Sequence, residues 1–407
     1  MKKNFYAFLF LVPLCSAAQY TGTGSVTQGL ATTTATNIYS CTGGRPTNVG
    51  TITATDNTVW TMPASVNFLN ASYPFASVLH NSCTGVMYAN SAAAVAALDG
   101  SDIVTIDAGG ELITAYIFAD NYFEMYVNGV FIGKDDVPFT QFNSNIVRFR
   151  VNRPFTIAMQ LVDWEENLGL GSENNAGFAY HPGDGGIVVV FKDQNDATVA
   201  ITNTDWKAQT FYTGPIQDLS CPTENGQQRL TTNCSTADSQ DGTSYYALHW
   251  NKPSNWMSAS YDDSGWPSAY AYANNVVGVN NKPAYTNFTN IFDDPAADAS
   301  FIWSSNLILD NEVVVRYTVP ASSSLKEGSQ GCLKVYPNPA TNELYLEMPQ
   351  SQLESISHIG IFNALGEQML ETSSYQERLE LKQLPAGIYT VQVNAGDQLF
   401  VQKLIIQ

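Results

Sequence analysis

The sequence predicts an all-β protein, with a sandwich or jelly-roll main body and a smaller β-sandwich at its C-terminal end. Three observations carry that reading. Thr, Val, Tyr and Phe, which suit pleated strands, recur between turns of Gly, Asn, Pro and Asp; Tyr and Phe alone number 21 and 20 in 407 residues. Short runs alternate apolar and polar residues with period two, as half-buried strands do. Helical periodicity is scarce, and residues 91–98 give its best short example.

At the start of the chain, Lys2 and Lys3 precede an apolar run over residues 5–14, and Ser16, Ala17 and Ala18 place small residues at a cleavage point. This is the pattern of a secretory signal peptide, residues 1–18, too short to span a bilayer. Lipidation of Cys15 would need a small residue before it, and Leu14 is large. After residue 18 no apolar run approaches the roughly 20 residues of a spanning helix, so no transmembrane span is expected.

Residues 19–101 are a β-rich N-terminal region, with one strand expected over residues 58–63. Whether this region is an independent domain or a decoration of the next is open. Residues 102–319 form the main body. There, residues 112–119 lead into an alternating strand at 122–127, Asn128-Gly129 makes a tight hairpin turn, and residues 130–132 return. Residues 146–151 and 155–161 are expected to pair around Arg153-Pro154. Residues 187–191 and 197–202 pair around a turn at 193–196, and 313–319 is the last strand of the body. Residues 320–334 read as a linker by composition. In the final segment, 335–407, Leu344, Leu346 and Met348 alternate with Tyr345 and Glu347, and Tyr389, Val391 and Val393 with Thr390, Gln392 and Asn394. Pro337 and Pro339 fix the backbone before its first strand.

Charge narrows the partners. With 18 Lys+Arg against 37 Asp+Glu, the formal net charge is −19, which argues against nucleic acid, whose phosphates need clustered cations. Such a surface suits a protein at a cell exterior, and its carboxylates can hold Ca²⁺. Of six cysteines, Cys15 leaves with the signal peptide. In an oxidising compartment Cys221 with Cys234, and Cys41 with Cys83, are the natural disulfides, leaving Cys332 over. No Cys-x-x-Cys or His-Glu-x-x-His spacing supports zinc, and neither a Gly-x-Ser-x-Gly elbow nor a Gly-rich phosphate loop occurs.

Two resemblances add to this. Val335-Tyr336-Pro337-Asn338-Pro339-Ala340-Thr341-Asn342-Glu343-Leu344, Leu384-Pro385-Ala386-Gly387-Ile388-Tyr389 and Gln402-Lys403-Leu404-Ile405-Ile406 match in order the start, middle and end of a known tail. Residues 335–407 resemble the type A C-terminal sorting domain of Bacteroidetes-type bacteria. The resemblance implies export by the type IX secretion machinery to the outer surface or the medium. In the main body, the stretch from Phe118-Ala119-Asp120-Asn121 to Val127-Asn128-Gly129, the segment Tyr261-Asp262-Asp263-Ser264-Gly265-Trp266, and Phe301-Ile302-Trp303-Ser304 are similar to pieces of galactose-binding-like β-sandwiches. That superfamily implies a carbohydrate- or cell-surface-binding role and carries no family-wide catalytic residue.

The stretch Asp163-Trp164-Glu165-Glu166, running on to Asn175, is densest in functional groups. It follows a strand, so it belongs to a loop at one end of the sandwich, where binding sites sit. Asp120, Asn121, Asp163, Glu165, Glu166 and Asp184 are expected to gather there, with His181 beside them and Trp164 as a stacking face for a sugar. Asp163, Glu165, Glu166 and Asp184 are the candidate ligands of a Ca²⁺ ion, which takes six to eight oxygens. Trp250 and Trp256, in a Pro-containing segment, are the other aromatics expected to be exposed. No catalytic residue is singled out. The reading is a secreted or surface glycan-binding protein. The rivals are an adhesin without a small ligand and a glycan hydrolase, which would need two carboxyls facing across a cleft.

Overall fold

The structure is a computed structural model and describes residues 20–321, 326–327, 333–349, 353, 355–363, 365–396 and 398–407. The expected signal peptide with Cys15, most of the 320–334 linker, and Cys332 lie outside the described residues. The chain forms two compact units that divide between Val319 and Pro320. No helix among the described residues is long and apolar enough to cross a membrane.

The protein is mostly β, as its alternating runs predict. The first unit contains a seven-stranded sheet in the order Ser25–Gln28, Tyr246–His249, Lys207–Ile216, Asp310–Val319, Phe155–Val162, Tyr122–Val127, Val130–Lys134. A nine-stranded sheet runs Tyr270–Tyr272, Phe301–Trp303, Gly186–Lys192, Glu111–Asp120, Ser144–Val151, Ser77–Asn81, Val86–Met87, with Thr198–Ile201 and Ile103–Thr105 attached beside it. Alternate side chains of a strand face opposite ways. Phe123, Met125, Ile157, Met159, Val313 and Val315 from the first sheet therefore share one core with Ile113, Ala115, Ile117 and Phe149 from the second. The expected hairpin at Asn128-Gly129 forms, with φ of 50° and 81° at the two turn residues. These left-handed values match the twist of the flanking strands.

Two expectations fail. Residues 146–151 and 155–161 are strands but not partners. Ser144–Val151 pairs with Glu111–Asp120 in one sheet, and Phe155–Val162 with Asp310–Val319 and Tyr122–Val127 in the other. Period two fixes which face a residue takes and is silent about its neighbour strand. The short link between them is a corner between sheets, with Arg153 paired to Glu111. Trp250 and Trp256 are also buried, together with Trp266. They cover the outer face of the seven-stranded sheet, packing with Tyr126, Ala158, Phe211 and Val314. Arg316 tethers this cover, donating to the carbonyls of Trp256 and Ser258 and pairing with Asp263 at 2.7 Å.

Strands from the region before residue 102 enter both sheets, at Ser25–Gln28 and Ser77–Asn81. Thr32–Ala35, Val49–Thr53 and Val59–Met62 make a separate small sheet. Both expected disulfides are present, Cys41–Cys83 and Cys221–Cys234, across separations of 42 and 13 residues. Closing loops of these lengths stabilises by about 4 and about 3 kcal/mol on the chain-entropy account. Reduction is therefore expected to lower the calorimetric unfolding midpoint by several degrees; an unchanged midpoint would contradict this.

The second unit has a five-stranded sheet centred on Gly387–Ala395 and a three-stranded sheet of Lys334–Tyr336, Glu343–Glu347 and Arg378–Glu380. Leu344, Leu346, Ile359, Ile361, Val391 and Val393 share its core.

Candidate functional site

Several of the expected acidic residues do meet at one end of the first unit. Asp120 closes the strand Glu111–Asp120 and stands in register with Gly186. Asp163 follows the strand Phe155–Val162 and lies against the turn at Gly183, where an added methyl would sit 2.7 Å from Asp163 Oδ2. Glu173 is opposite His181 on a two-stranded ribbon. Burial pushes the Asp120 and Asp163 carboxyls well above the usual carboxylate range. The charges of Asp184 and Glu173 push both further, and Asp120 itself acts on Asp163. Asp184 is pushed up to about 6 by burial, with His181 opposing. Arg45 pairs with Glu173 at 2.5 Å, and His181 with Asp238 at 2.6 Å.

The other residues of this group have structural partners. Trp164 is 1% exposed, packs edge-on against Tyr122, and donates from Nε1 to the Asn48 carbonyl at 3.2 Å. It belongs to a core cluster beneath residues 38–68 and offers no stacking face, contrary to expectation. Glu165 turns inward. Its oxygens accept from the N–H groups of Gly169, Leu170 and Gly171 and from the Tyr212 hydroxyl, so it organises its own loop. Asn121 donates to Asp120 at 2.6 Å and accepts from the Trp164 N–H at 2.7 Å, joining the two strand ends. Glu166 is half-buried and accepts from the Asn174 N–H at 3.0 Å. Among the described residues, no group of three or more His, Cys, Asp or Glu stands in metal-holding geometry.

A second place is assembled from segments far apart in the sequence. A cavity of about 550 Å³ opens where the strand Lys207–Ile216 of one sheet approaches Tyr270–Tyr272 of the other. Gln209, Gln228, Arg229, Ser268, Tyr270 and Ser305 are among its lining residues. Arg229 lies on a hairpin that the Cys221–Cys234 bridge closes. Its guanidinium stands over the rings of Phe211 and Trp250, 4.9 and 4.6 Å from their centroids, and donates to the Thr210 carbonyl. Burial lowers its pKa to about 10. Tyr270 is 53% exposed at the edge of the cavity. Asp310, fully buried, accepts from Thr210 at 2.9 Å and Ser304 at 2.5 Å, and burial pushes it up to about 6. The one sequence signal here is an Arg inside a disulfide-closed loop of a chain poor in cations.

Residues 334–407 match the family model described as the secretion system C-terminal sorting domain. No curated protein matches the chain. Among solved structures, it is similar to PorZ, described as an essential surface component of the type IX secretion system of Porphyromonas gingivalis. That likeness is at 14% identity and TM-score 0.16, covering 26% of this chain and 15% of that one. A Faecalibacterium prausnitzii beta-glucuronidase matches at 10% identity and TM-score 0.17, over 75% of this chain and 35% of that one. A Pleurotus ostreatus lectin matches at 12% and 0.21, over 75% and 73%. The chain thus spans well under half the length of the first two. Likenesses this slight assign nothing to it.

Proposed function

Since residues 334–407 carry this protein through the type IX secretion system to the outer surface or the medium, we propose that its main body is a carbohydrate-binding module. One observation carries the reading: the cavity between the strand Lys207–Ile216 and Tyr270–Tyr272. Its volume lies within the roughly 300–1,000 Å³ of small-ligand sites. The exposed Tyr270 ring supplies a face for a sugar ring, and Gln228, Arg229, Ser268 and Ser305 supply donors and acceptors for its hydroxyls. The buried Trp266 and the Asn128-Gly129 hairpin support a galactose-binding-like body for this module.

A glycan array probed with the full chain is expected to return binders without releasing reducing sugar. Tyr270→Ala should weaken the best binder about tenfold, in line with the roughly 0.5–1.5 kcal/mol of an aromatic contact, and leave the unfolding midpoint unchanged. An array without binders, or a Tyr270→Ala protein that binds as well as the parent, would reject the proposal. Sugar release would point to the hydrolase, and cell clustering without a soluble ligand to the adhesin.

A further inference from the structure

We infer that Lys134 and Asn67 become joined by an intramolecular isopeptide bond, with Glu124 moving the protons. Lys134 ends the strand Val130–Lys134 and stands in register with Glu124 on Tyr122–Val127. Paired residues of neighbouring strands project to the same face, with Cβ atoms about 5 Å apart. Both are enclosed, Lys134 being 1% and Glu124 0% exposed. The loop carrying Asn67 closes over them. Lys134 Nζ donates to the main-chain carbonyl of Asn67 at 2.7 Å and to those of Phe68 and Asn70 at 2.8 Å. The Phe75 ring centroid is 4.5 Å from the same nitrogen. Glu124 grips Asn67 from the other side, accepting from its N–H and, at 2.9 Å, from its side-chain Nδ2. The hydroxyls of Tyr122 and Tyr126 donate to the same carboxylate at 3.0 and 3.4 Å. Asn67 is held between a buried amine and a buried carboxylate.

The surroundings favour reaction over a simple clamp. Among the described residues Lys134 forms no ion pair; its three carbonyl acceptors fit the ammonium, and burial lowers its pKa, easing loss of the proton that frees the attacking amine. The fold already holds Nζ against the Asn67 main chain and the Asn67 side-chain amide against Glu124, so little entropy of encounter remains to be lost. The rings of Phe68, Phe75, Tyr122 and Tyr126 stand around the group, and Lys134 and Glu124 themselves are closed off from solvent. In the step, Nζ forms a bond to Asn67 Cγ and the Cγ–Nδ2 bond breaks. The proton shed by Nζ goes to Glu124, and Glu124, already hydrogen-bonded to Nδ2, hands a proton to that nitrogen, which leaves as ammonia. If Lys134 begins as the ammonium, the extra proton departs as ammonium. Nothing is oxidised or reduced, and no co-reactant is needed.

Peptide mapping of the full chain by mass spectrometry tests this. The expected result is one branched peptide containing both Asn67 and Lys134, lighter than its two parts by one ammonia, with no cleavage by trypsin after Lys134. Separate peptides of full mass in the parent protein would overturn the inference, and this reading needs no variant to fold. Lys134→Arg, which keeps the cation but cannot form the bond, should yield separate peptides. Glu124→Gln should do the same, and a bond that persists in Glu124→Gln would overturn the role given to the carboxylate.

Discussion

Deletion of residues 334–407 is expected to hold the protein in the periplasm, with little or none at the cell surface or in the medium. The deleted unit has its own core, built from residues after 332. The core of the remaining unit draws on none of them. The truncated chain should therefore fold, form Cys41–Cys83 and Cys221–Cys234, and fail only in transport. Cell fractionation with immunodetection checks the location, and non-reducing peptide mapping checks the fold. Truncated protein reaching the outside at the normal level would contradict the assignment of this segment.

The second large effect is on stability against pH. Burial raises Asp120 and Asp163 well above the carboxylate range, Asp184 and Asp310 to about 6, and Glu165 to about 7. In the unfolded chain these groups titrate near pH 4. Between about pH 4 and 7 these carboxyls bind more protons in the folded state than in the unfolded one; His249 and His80, whose pKa values burial lowers, act the opposite way but are fewer, so stability falls as pH rises through that window. The unfolding midpoint is expected to be higher at pH 5 than at pH 8. Each raised group that ionises at pH 8 costs on the order of 1–3 kcal/mol, since one pKa unit is about 1.4 kcal/mol. Asp163→Asn should raise the midpoint at pH 8 and flatten the pH dependence. Below pH 4 the sign reverses. There Asp56, Asp99, Asp218, Asp241 and Asp262, whose pKa values hydrogen bonds lower, lose the charge those bonds stabilise. A midpoint that climbs from pH 5 to 8 would contradict the account.

Much of the fold was legible because strand alternation and turn chemistry are local. Asn128-Gly129 announces its hairpin, and the strand at 187–191 pairs with 197–202 across the turn at 193–196, as Gly186–Lys192 and Thr198–Ile201 do. Partnership across sheets is not local, and so residues 146–151 and 155–161, adjacent in sequence, pair with distant strands in different sheets. The site was legible in part. Strand ends brought Asp120 and Asp163 toward the turn holding Asp184, but burial of Trp164 and the inward turn of Glu165 depend on what the N-terminal region covers. The cavity at Arg229 was hidden because its walls come from segments around residues 209, 229, 270 and 305. The Lys134, Glu124 and Asn67 group was hidden likewise, although a Lys at the end of an apolar strand is a signal in retrospect.

Binding of carbohydrate in the cavity beside Tyr270 is the proposal on which the function rests. Its most direct test is a crystal structure of the protein soaked with the best binder from the glycan array. The account predicts a sugar ring against Tyr270, with hydroxyls on Gln228 and Arg229. A sugar seated at Asp163 and Asp184 instead, or a cavity that stays empty at saturating ligand, would contradict it.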